Sequence, residues 1–241
     1  MPPIAIHDGF VLLGTLAGLA ICLYESRRRG MLDERMLWII VGALVCAAVG
    51  ARLSSLWRYV AVAPEPSARG FLIAGGRSIL GGLAGAYAGV LITKRLIGYR
   101  DPTGDVFAPA VALGMAIGRF GCLLTELPGT PTRVPWAGTW YDGVPRHPSF
   151  IYEIVFQFGS FALLWWLRPR VRTRGDLFKV YLLAYAGFRF AVEFVRGNDI
   201  VWNGLTRPQL FLIPAMVALI WYFARRRLRG GYQMALDGAT S

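Results

Sequence analysis

The chain has 241 residues, of which 55% are hydrophobic and 17% are charged, and its formal net charge is +12. A soluble domain carries about 25% charged residues, so this composition excludes an ordinary soluble domain and favours an integral membrane protein. The basic residues lie in short segments between apolar runs, which is typical of membrane-topology signals and argues against nucleic-acid binding.

Seven stretches of the chain are apolar and long enough to be transmembrane helices, which need about 20 mostly apolar residues. In chain order they cover residues 9–25, 36–58, 71–93, 106–125, 149–167, 178–195 and 208–224. The sequence shows no separate soluble domain beside them. We therefore predict an all-α integral membrane protein with seven transmembrane helices and one membrane domain over residues 1–241.

The loops between these spans differ in lysine and arginine content, and these residues are in excess on the cytoplasmic side of membrane proteins. The odd-numbered loops and the C-terminal tail are rich in them, as in residues 27–29 and 225–229, and the even-numbered loops are poorer. We therefore predict an N-terminus outside and a cytoplasmic C-terminus. The longest connection, about 126–148, then lies outside, and its composition is typical of an ordered loop or small cap on the membrane surface.

Four arginines lie inside the predicted spans or at their ends: Arg52, Arg77, Arg119 and Arg189. A guanidinium group stays charged in a protein, and placing a charge at the bilayer centre costs at least about 3 kcal/mol on insertion scales. Such residues face a bundle interior or a cavity and are functional candidates. They would hold an anion, and in a membrane the obvious anion is a lipid phosphate.

Other polar residues lie at the same predicted depth, in the outer half of the membrane. They are Ser78 on the third span, Glu126 on the fourth, His147, Ser149, Tyr152 and Glu153 on the fifth, and Glu193 and Arg196 on the sixth. Arg189 and Glu193 are four residues apart, so they share a helix face and can pair. Two interpretations stay open: a shared anion site, or ion pairs that only fix helix packing.

Glycines and cysteines give weaker signals. Gly81, Gly85 and Gly89 repeat every four residues, a spacing that chiefly serves the close packing of membrane helices. The three cysteines show no CxxC spacing, so the sequence predicts neither a disulfide framework nor a metal site.

Four motifs occur in order along the chain. They are Gly81-Gly82-Leu83, Gly118-Arg119-Phe120-Gly121, His147-Pro148-Ser149-Phe150-Ile151-Tyr152-Glu153 and Phe188-Arg189-Phe190-Ala191-Val192-Glu193-Phe194-Val195-Arg196. Together they resemble the prolipoprotein diacylglyceryl transferases, which transfer the diacylglyceryl group of phosphatidylglycerol to the thiol of a lipobox cysteine, without a metal or organic cofactor. The resemblance implies a transferase of the bacterial inner membrane, with phosphatidylglycerol and a prolipoprotein signal peptide as partners.

The resemblance also implies roles for individual residues. The residues expected to be catalytic are Arg77, Arg119, Glu126, His147, Arg189 and Glu193, and those expected to bind substrate are Arg77, Ser78, Gly81, Gly82, Arg119, Tyr152, Glu153 and Arg196. Gln209 corresponds to a family glutamine at the start of the last span. A cysteine thiol, with a pKa of about 8.5, is mostly protonated at neutral pH and needs a base. That base stays open among Glu126, His147, Glu153 and Glu193.

Three positions depart from the family pattern. Leu80 replaces the histidine of the usual His-Gly-Gly-Leu run, Leu13 replaces a tyrosine of the first helix, and Cys122 replaces the asparagine after Gly-Arg-x-Gly. Leucine neither moves a proton nor donates a hydrogen bond. Either Arg77, three residues before Leu80, takes over in a variant subclass, or the protein is a non-catalytic phospholipid-binding or lipoprotein-handling paralogue. A transporter is a third hypothesis, disfavoured because the sequence has no internal repeat.

Overall fold

The computed structural model describes residues 3–62, 67–68, 70–71, 76, 78–139, 142–170 and 175–228. Within them the chain forms eight α-helices and four short strands. The helices are α1 (Pro3–Arg28), α2 (Glu34–Leu53), α3 (Leu56–Val62), α4 (Ile79–Leu96), α5 (Gly104–Thr125), α6 (Ser149–Leu167), α7 (Asp176–Arg196) and α8 (Arg207–Leu228). The strands are β1 (Gly138–Thr139), β2 (Pro145–Arg146), β3 (Ile200–Trp202) and β4 (Leu205–Thr206).

Six of the described helices are long and apolar enough to cross a membrane: α1, α2, α4, α5, α6 and α8. The sixth predicted span, 178–195, coincides with α7, a helix of 21 residues. Charged residues such as Arg189 and Glu193 lower the apolar character of α7, so composition alone does not mark it as a span. Large apolar side chains such as Leu12 and Leu16 are exposed on a helix surface, as lipid-facing residues are. The predicted all-α membrane fold is confirmed.

Two predicted spans extend beyond the observed helices, one at its C-terminal end and one at its N-terminal end. The second was predicted to reach residue 58, but α2 ends at Leu53 because the hydroxyls of Ser54 and Ser55 donate to the carbonyls of Ala51 and Arg52. The third was predicted to begin at residue 71, whereas α4 begins after Ser78. The side chain of Ser78 caps that helix by accepting a hydrogen bond from the backbone N–H of Gly81.

The helices divide into two compact units, one of residues 1–25 and 102–241 and the other of residues 26–101. In the second unit, α2 and α4 approach with almost no side chain between them. A Cβ on Gly85 would lie 2.2 Å from the carbonyl oxygen of Cys46, and one on Gly89 would lie 2.4 Å from that of Gly42. The four-residue glycine spacing is therefore a packing device, as the sequence predicted.

The first unit contains α5, α6, α7 and α8 together with α1 up to Glu25. Asp105, buried near the start of α5, accepts hydrogen bonds from the backbone N–H groups of Gly175 (2.9 Å) and Leu177 (3.1 Å). A carboxylate is well placed there because the first N–H groups of a helix lack partners within the helix. This contact fixes the start of α7 against α5. The far end of α7, which carries Arg189 and Glu193, is thereby set in the same unit as Arg119.

Two small hairpins lie in the connections of this unit. β1 and β2 pair antiparallel within the predicted outer loop, with Gly138 opposite Arg146. β3 and β4 pair between α7 and α8, with Ile200 opposite Thr206, and the sequence did not predict this second hairpin. Trp140 and Tyr141, two aromatic residues of the outer loop, lie outside the described residues.

Candidate functional site

The carboxylate of Glu153, on the second turn of α6, joins three helices. Its side chain is fully buried, and Oε1 lies 2.7 Å from Nη2 of Arg119 on α5. Oε1 also accepts a hydrogen bond of 3.0 Å from the hydroxyl of Tyr185 on α7. Oε2 lies 3.3 Å from Nη1 of Arg196 at the end of α7. Both oxygens of Glu153 are therefore engaged, and the carboxylate holds two guanidinium groups in place.

A second buried ion pair lies within α7. Nη1 of Arg189 is 2.6 Å from Oε2 of Glu193, one helical turn along, which confirms the pairing predicted from their spacing. The two atoms form an ion pair, although the contact does not have the geometry of a directional hydrogen bond. Oε1 of Glu193 is bound separately, by the amide of Asn198 and, at 3.0 Å, by the hydroxyl of Thr206.

Gln209, on the first turn of α8, fixes the residues around Glu193. It is fully buried, and its Oε1 accepts a 2.9 Å hydrogen bond from the backbone N–H of Thr206. Its Nε2 donates to the carbonyl of Phe190 at 3.2 Å. Gln209 thus ties the start of α8 to α7 and fixes the residue whose hydroxyl binds Glu193.

The described residues of the site carry more positive than negative charge. Arg119, Arg189 and Arg196 interact electrostatically with the Glu153 carboxylate, and Glu193 is the second acid. Three guanidinium groups and two carboxylates leave one positive charge in excess. Nε of Arg119 is buried without a hydrogen-bond acceptor in the described part of the chain, whereas Nη1 of Arg189 lies against the Glu193 carboxylate. Buried donors without partners are costly, and the oxygen atoms of an anionic ligand would satisfy them.

His147 and Tyr152 lie where the outer loop enters α6. Nδ1 of His147 is 3.3 Å from the hydroxyl of Tyr152, and that hydroxyl accepts a hydrogen bond of 2.8 Å from Nε1 of Trp136. The backbone ties this segment to the end of α7: the N–H of His147 donates to Thr130, whose own N–H donates to Val195. The predicted His147 and Tyr152 therefore lie beside the end of α7 that carries Arg196.

Glu126 continues the face of α5 that carries Arg119. Its side chain is half-exposed, and Oε1 lies 3.7 Å from Nε2 of His7 on α1. The same ring nitrogen is 3.6 Å from Sγ of Cys122, which also accepts a 3.4 Å contact from Nη1 of Arg119. His7 was not among the predicted site residues, because nothing in its local sequence indicates which helix α1 contacts.

Five predicted residues either belong to the other unit or lie outside the described residues. Ser78, Gly81 and Gly82 belong to the unit of residues 26–101, where Ser78 and Gly81 form the start of α4. Arg77 lies outside the described residues. Arg52, the fourth arginine of the sequence argument, is in that same unit and its Nη1 lies 3.5 Å from the carbonyl of Phe71.

Two buried tyrosines of the site were missed by the sequence reasoning. Tyr181 donates to Oε1 of Gln157 at 2.8 Å, and the ring of Tyr185 stacks on that of Tyr181 with centroids 6.2 Å apart. Their signal was present, because Tyr181, Tyr185, Arg189 and Glu193 repeat every four residues and form one polar face of α7.

Comparison with known proteins gives a consistent result. A family model described as prolipoprotein diacylglyceryl transferase matches residues 3–225. Three similar proteins are named phosphatidylglycerol–prolipoprotein diacylglyceryl transferase. One from Bordetella parapertussis is 34% identical over 236 residues, covering 90% of this chain and 89% of the relative. One from Finegoldia magna is 33% identical over 217 residues (86% and 85%), and one from Nitratidesulfovibrio vulgaris is 35% identical over 207 residues (81% and 77%).

Proposed function

The chain belongs to the prolipoprotein diacylglyceryl transferase family, and from this we propose that it transfers the diacylglyceryl group of phosphatidylglycerol to the cysteine thiol of a prolipoprotein signal peptide. The observation that carries this proposal is the cluster of Arg119, Arg189 and Arg196 around Glu153. It is buried among helices α5, α6 and α7, where a lipid headgroup can be bound away from water.

The charge of the cluster suits a phosphodiester. One positive charge in excess matches the single negative charge of a phosphatidylglycerol headgroup, and guanidinium groups bind phosphate oxygens through two parallel donors. Nε of Arg119 is a buried donor without an acceptor among the described residues. We assign this atom, together with N–H groups of Arg189 other than those of Nη1, which contacts Glu193, to the phosphate oxygens of the bound lipid.

At carbon, the transfer forms one bond and breaks one. The thiol of the lipobox cysteine gives its proton to a base of the enzyme, and its sulfur attacks the phosphate-bearing carbon of the diacylglyceryl group. A thioether forms, and the bond between that carbon and the phosphate oxygen breaks. The electron pair of that bond leaves with glycerol phosphate, so negative charge grows on the phosphate as the reaction proceeds. Fixed arginines aimed at this developing charge accelerate such a step, and losing one comparable donor costs about 10²- to 10³-fold in rate.

The four candidate bases differ in burial and in the ion pairs that they form. Glu153 and Glu193 are buried against arginines, and a proton on either would weaken the ion pairs that position the phosphate-binding groups. Glu126 is half-exposed, and His147 contacts only a tyrosine hydroxyl among the contacts described for its ring nitrogens. We therefore assign Glu153 and Glu193 to positioning Arg119 and Arg189, and leave Glu126 and His147 as acceptors of the thiol proton.

The protein is placed in the bacterial inner membrane by its family and its apolar helices. We propose that its N-terminus is outside and its C-terminus cytoplasmic. The site lies at the end of α5, the start of α6 and the end of α7, which are all at one side. Arg27, Arg168 and Arg225 belong to the opposite helix ends, and an excess of basic residues is typical of the cytoplasmic side.

The reaction is tested with purified full-length protein, phosphatidylglycerol and a lipobox peptide, by peptide mass and by release of glycerol phosphate. Arg119→Lys and Arg189→Lys keep the charge but lose the planar fork, and each is expected to lower the rate by about 10²- to 10³-fold. Arg35→Lys, at an exposed arginine of the other unit, is the matched control and should keep the wild-type rate. Wild-type rates in both site variants would refute the assigned phosphate contacts.

Leu80 favours one competing function, a non-catalytic paralogue that binds phosphatidylglycerol and releases no glycerol phosphate. We propose instead that Arg77, three residues earlier, replaces the missing family histidine. Arg77→Ala should then abolish release of glycerol phosphate while lipid binding persists. Undiminished turnover by this variant would remove Arg77 from the mechanism, and lipid binding without any product from the wild-type protein would establish the paralogue.

A further inference from the structure

His7, Cys122 and Glu126 bring three different metal-ligating groups together. One ligand atom from each lies within 4.8 Å of the other two. Nε2 of His7 is 3.6 Å from Sγ of Cys122 and 3.7 Å from Oε1 of Glu126. Around a tetrahedral zinc ion, neighbouring nitrogen, sulfur and oxygen ligands are roughly 3.4–3.6 Å apart, given the usual bond lengths. Two of the three separations are therefore already near those that one ion requires, and the third, between Sγ of Cys122 and a carboxylate oxygen of Glu126, is within 4.8 Å.

The backbone holds these ligands in place. Cys122 lies in the last turn of α5, and Glu126 is the residue that ends this helix, with its backbone N–H still bound to the carbonyl of Cys122 at 2.9 Å. His7 comes from α1, which packs directly on that end of α5. A Cβ on Gly121 would lie 2.9 Å from the carbonyl oxygen of His7 and 3.1 Å from its Cα. Because the two backbones touch there, the imidazole has little freedom to move away from the other two groups.

We propose that His7, Cys122 and Glu126 form a binding site for a zinc-type divalent cation at the end of α5. Zinc prefers this mixture of imidazole, thiolate and carboxylate, and three protein ligands leave a fourth position for water. The site has an access route, since Cys122 is buried whereas the Glu126 side chain is 48% exposed. The positive charge of Arg119 beside Cys122 does not forbid the ion, because that arginine is paired with Glu153.

Binding of the ion has a consequence for the reaction, and this consequence rests on the proposed function. A zinc ion held by Glu126 removes one of the two assigned proton acceptors and screens the thiol that contacts Arg119. With Glu126 as the acceptor of the thiol proton, zinc inhibits the transferase; with His147 as the acceptor, zinc binding leaves the rate unchanged, and in neither case is zinc a part of the chemistry. Metal binding itself is measured without any substrate, so a failed site and a failed transferase are distinguishable.

The test uses Co²⁺ as a spectroscopic probe on full-length protein purified without a histidine tag. The chain has three cysteines, so the double variant Cys22→Ala/Cys46→Ala keeps Cys122 as the sole thiol. Titration of this protein should give a thiolate-to-cobalt charge-transfer band that saturates at one ion per chain. Adding Cys122→Ala should abolish the band. No band in the double variant would overturn the proposal.

A second variant keeps the proposal falsifiable if Cys122→Ala does not fold. His7→Gln in the same background retains the thiol but removes the imidazole, and it should weaken Co²⁺ binding by more than about tenfold. Zn²⁺ should displace Co²⁺ from the double variant and raise its unfolding temperature, an effect lost with His7→Gln. Equal Co²⁺ affinity in the presence and absence of His7, or a zinc effect that survives its replacement, would overturn the site.

Discussion

The helices within each of the two compact units are held together by different means. In residues 26–101, α2 and α4 pack backbone against backbone, as at Gly85 and Cys46. In the other unit, α5, α6 and α7 are joined through Glu153 and its arginines. Within the part of the chain that the structure describes, every buried charged side chain belongs to the unit of residues 1–25 and 102–241.

This contrast shows where a membrane protein keeps expensive groups. Helices in lipid gain little from the hydrophobic effect and associate through close packing or polar contacts. Close packing suffices for α2 and α4, so buried charges are not needed for helix association as such. We therefore propose that the buried charges around Glu153 serve ligand binding, whereas Asp105 fixes the start of α7.

The strongest way to break the polar arrangement is Glu153→Gln. The amide has almost the same shape but leaves Arg119 and Arg196 without their buried counter-charge. Removing one partner of a buried ion pair costs about 3–5 kcal/mol, so we expect a loss of this size in the free energy of unfolding in detergent. Glu126→Gln, at a half-exposed carboxylate, is the control and should change stability little. Equal stability of the two variants would contradict the central role of Glu153.

The glycine-packed unit is tested by a matched pair of alanine substitutions. Gly85→Ala places a methyl group 2.2 Å from the carbonyl oxygen of Cys46, so α2 and α4 must separate. Overpacking of this kind costs about 1–3 kcal/mol. At Gly159, on α6, an added Cβ meets nothing within 4 Å, and alanine is the better helix former.

Unfolding measurements should therefore show Gly85→Ala destabilised and Gly159→Ala unchanged or slightly stabilised. A loss of stability at Gly159 as large as that at Gly85 would mean that steric contact between α2 and α4 is not the cause.

A smaller effect is expected at Thr206, a neutral residue whose hydroxyl donates a hydrogen bond to the buried carboxylate of Glu193. Thr206→Val keeps the shape of the side chain but removes the hydroxyl that binds Glu193 at 3.0 Å. Because Asn198 still binds the same carboxylate oxygen, the loss should be about 1 kcal/mol in unfolding free energy. The transfer rate should also fall, and Thr206→Ser should restore both quantities. A serine variant as impaired as the valine variant would argue against the hydroxyl.

The smallest effect is expected at Asp142, in the outer loop. Desolvation acts to raise its pKa, but hydrogen bonds from Arg146 and from the backbone N–H of Val144 outweigh this and lower the pKa below 3.8. Because the pKa is lowered by folding, the carboxylate stabilises the loop above about pH 4. That contribution is lost as the pH falls through the lowered pKa.

The difference in unfolding temperature between wild type and Asp142→Asn should therefore shrink on acidification, and it should be smaller at pH 7 than the effects described above. A difference that grows as the pH falls would show that the interaction with Arg146 has been misassigned.

Much of the fold could be predicted because lipid imposes simple rules on sequence. Six of the seven predicted spans overlap helices that are apolar enough to cross a membrane. The remaining span, 178–195, coincides with α7. The two predicted spans that extend beyond their helices are corrected by serine hydroxyls, at Ser54 and Ser78, since an average over apolar residues does not detect local hydrogen bonds.

The candidate site was predictable in part. The pair of Arg189 and Glu193 follows from helix periodicity. The partner of Arg119 does not, because Glu153 is 34 residues away and the choice among acids depends on how α5 packs against α6. The contact of His7 with Cys122 spans 115 residues and depends on the approach of two backbones at Gly121. Such partners follow from tertiary packing rather than from spacing.

The backbone of Thr130 bridges two helices. Its N–H donates a hydrogen bond to the carbonyl of Val195 at the end of α7, and its carbonyl accepts one from the N–H of His147 just before α6. Behind it, Gly129 lies so close to Val195 that a Cβ would be 2.1 Å from the carbonyl oxygen. We therefore expect that the tip of the 126–148 loop, beyond this bridge, can be lengthened without shifting either helix. An epitope or a fluorescent reporter inserted near Gly143 would give a handle for following the intact protein in living cells.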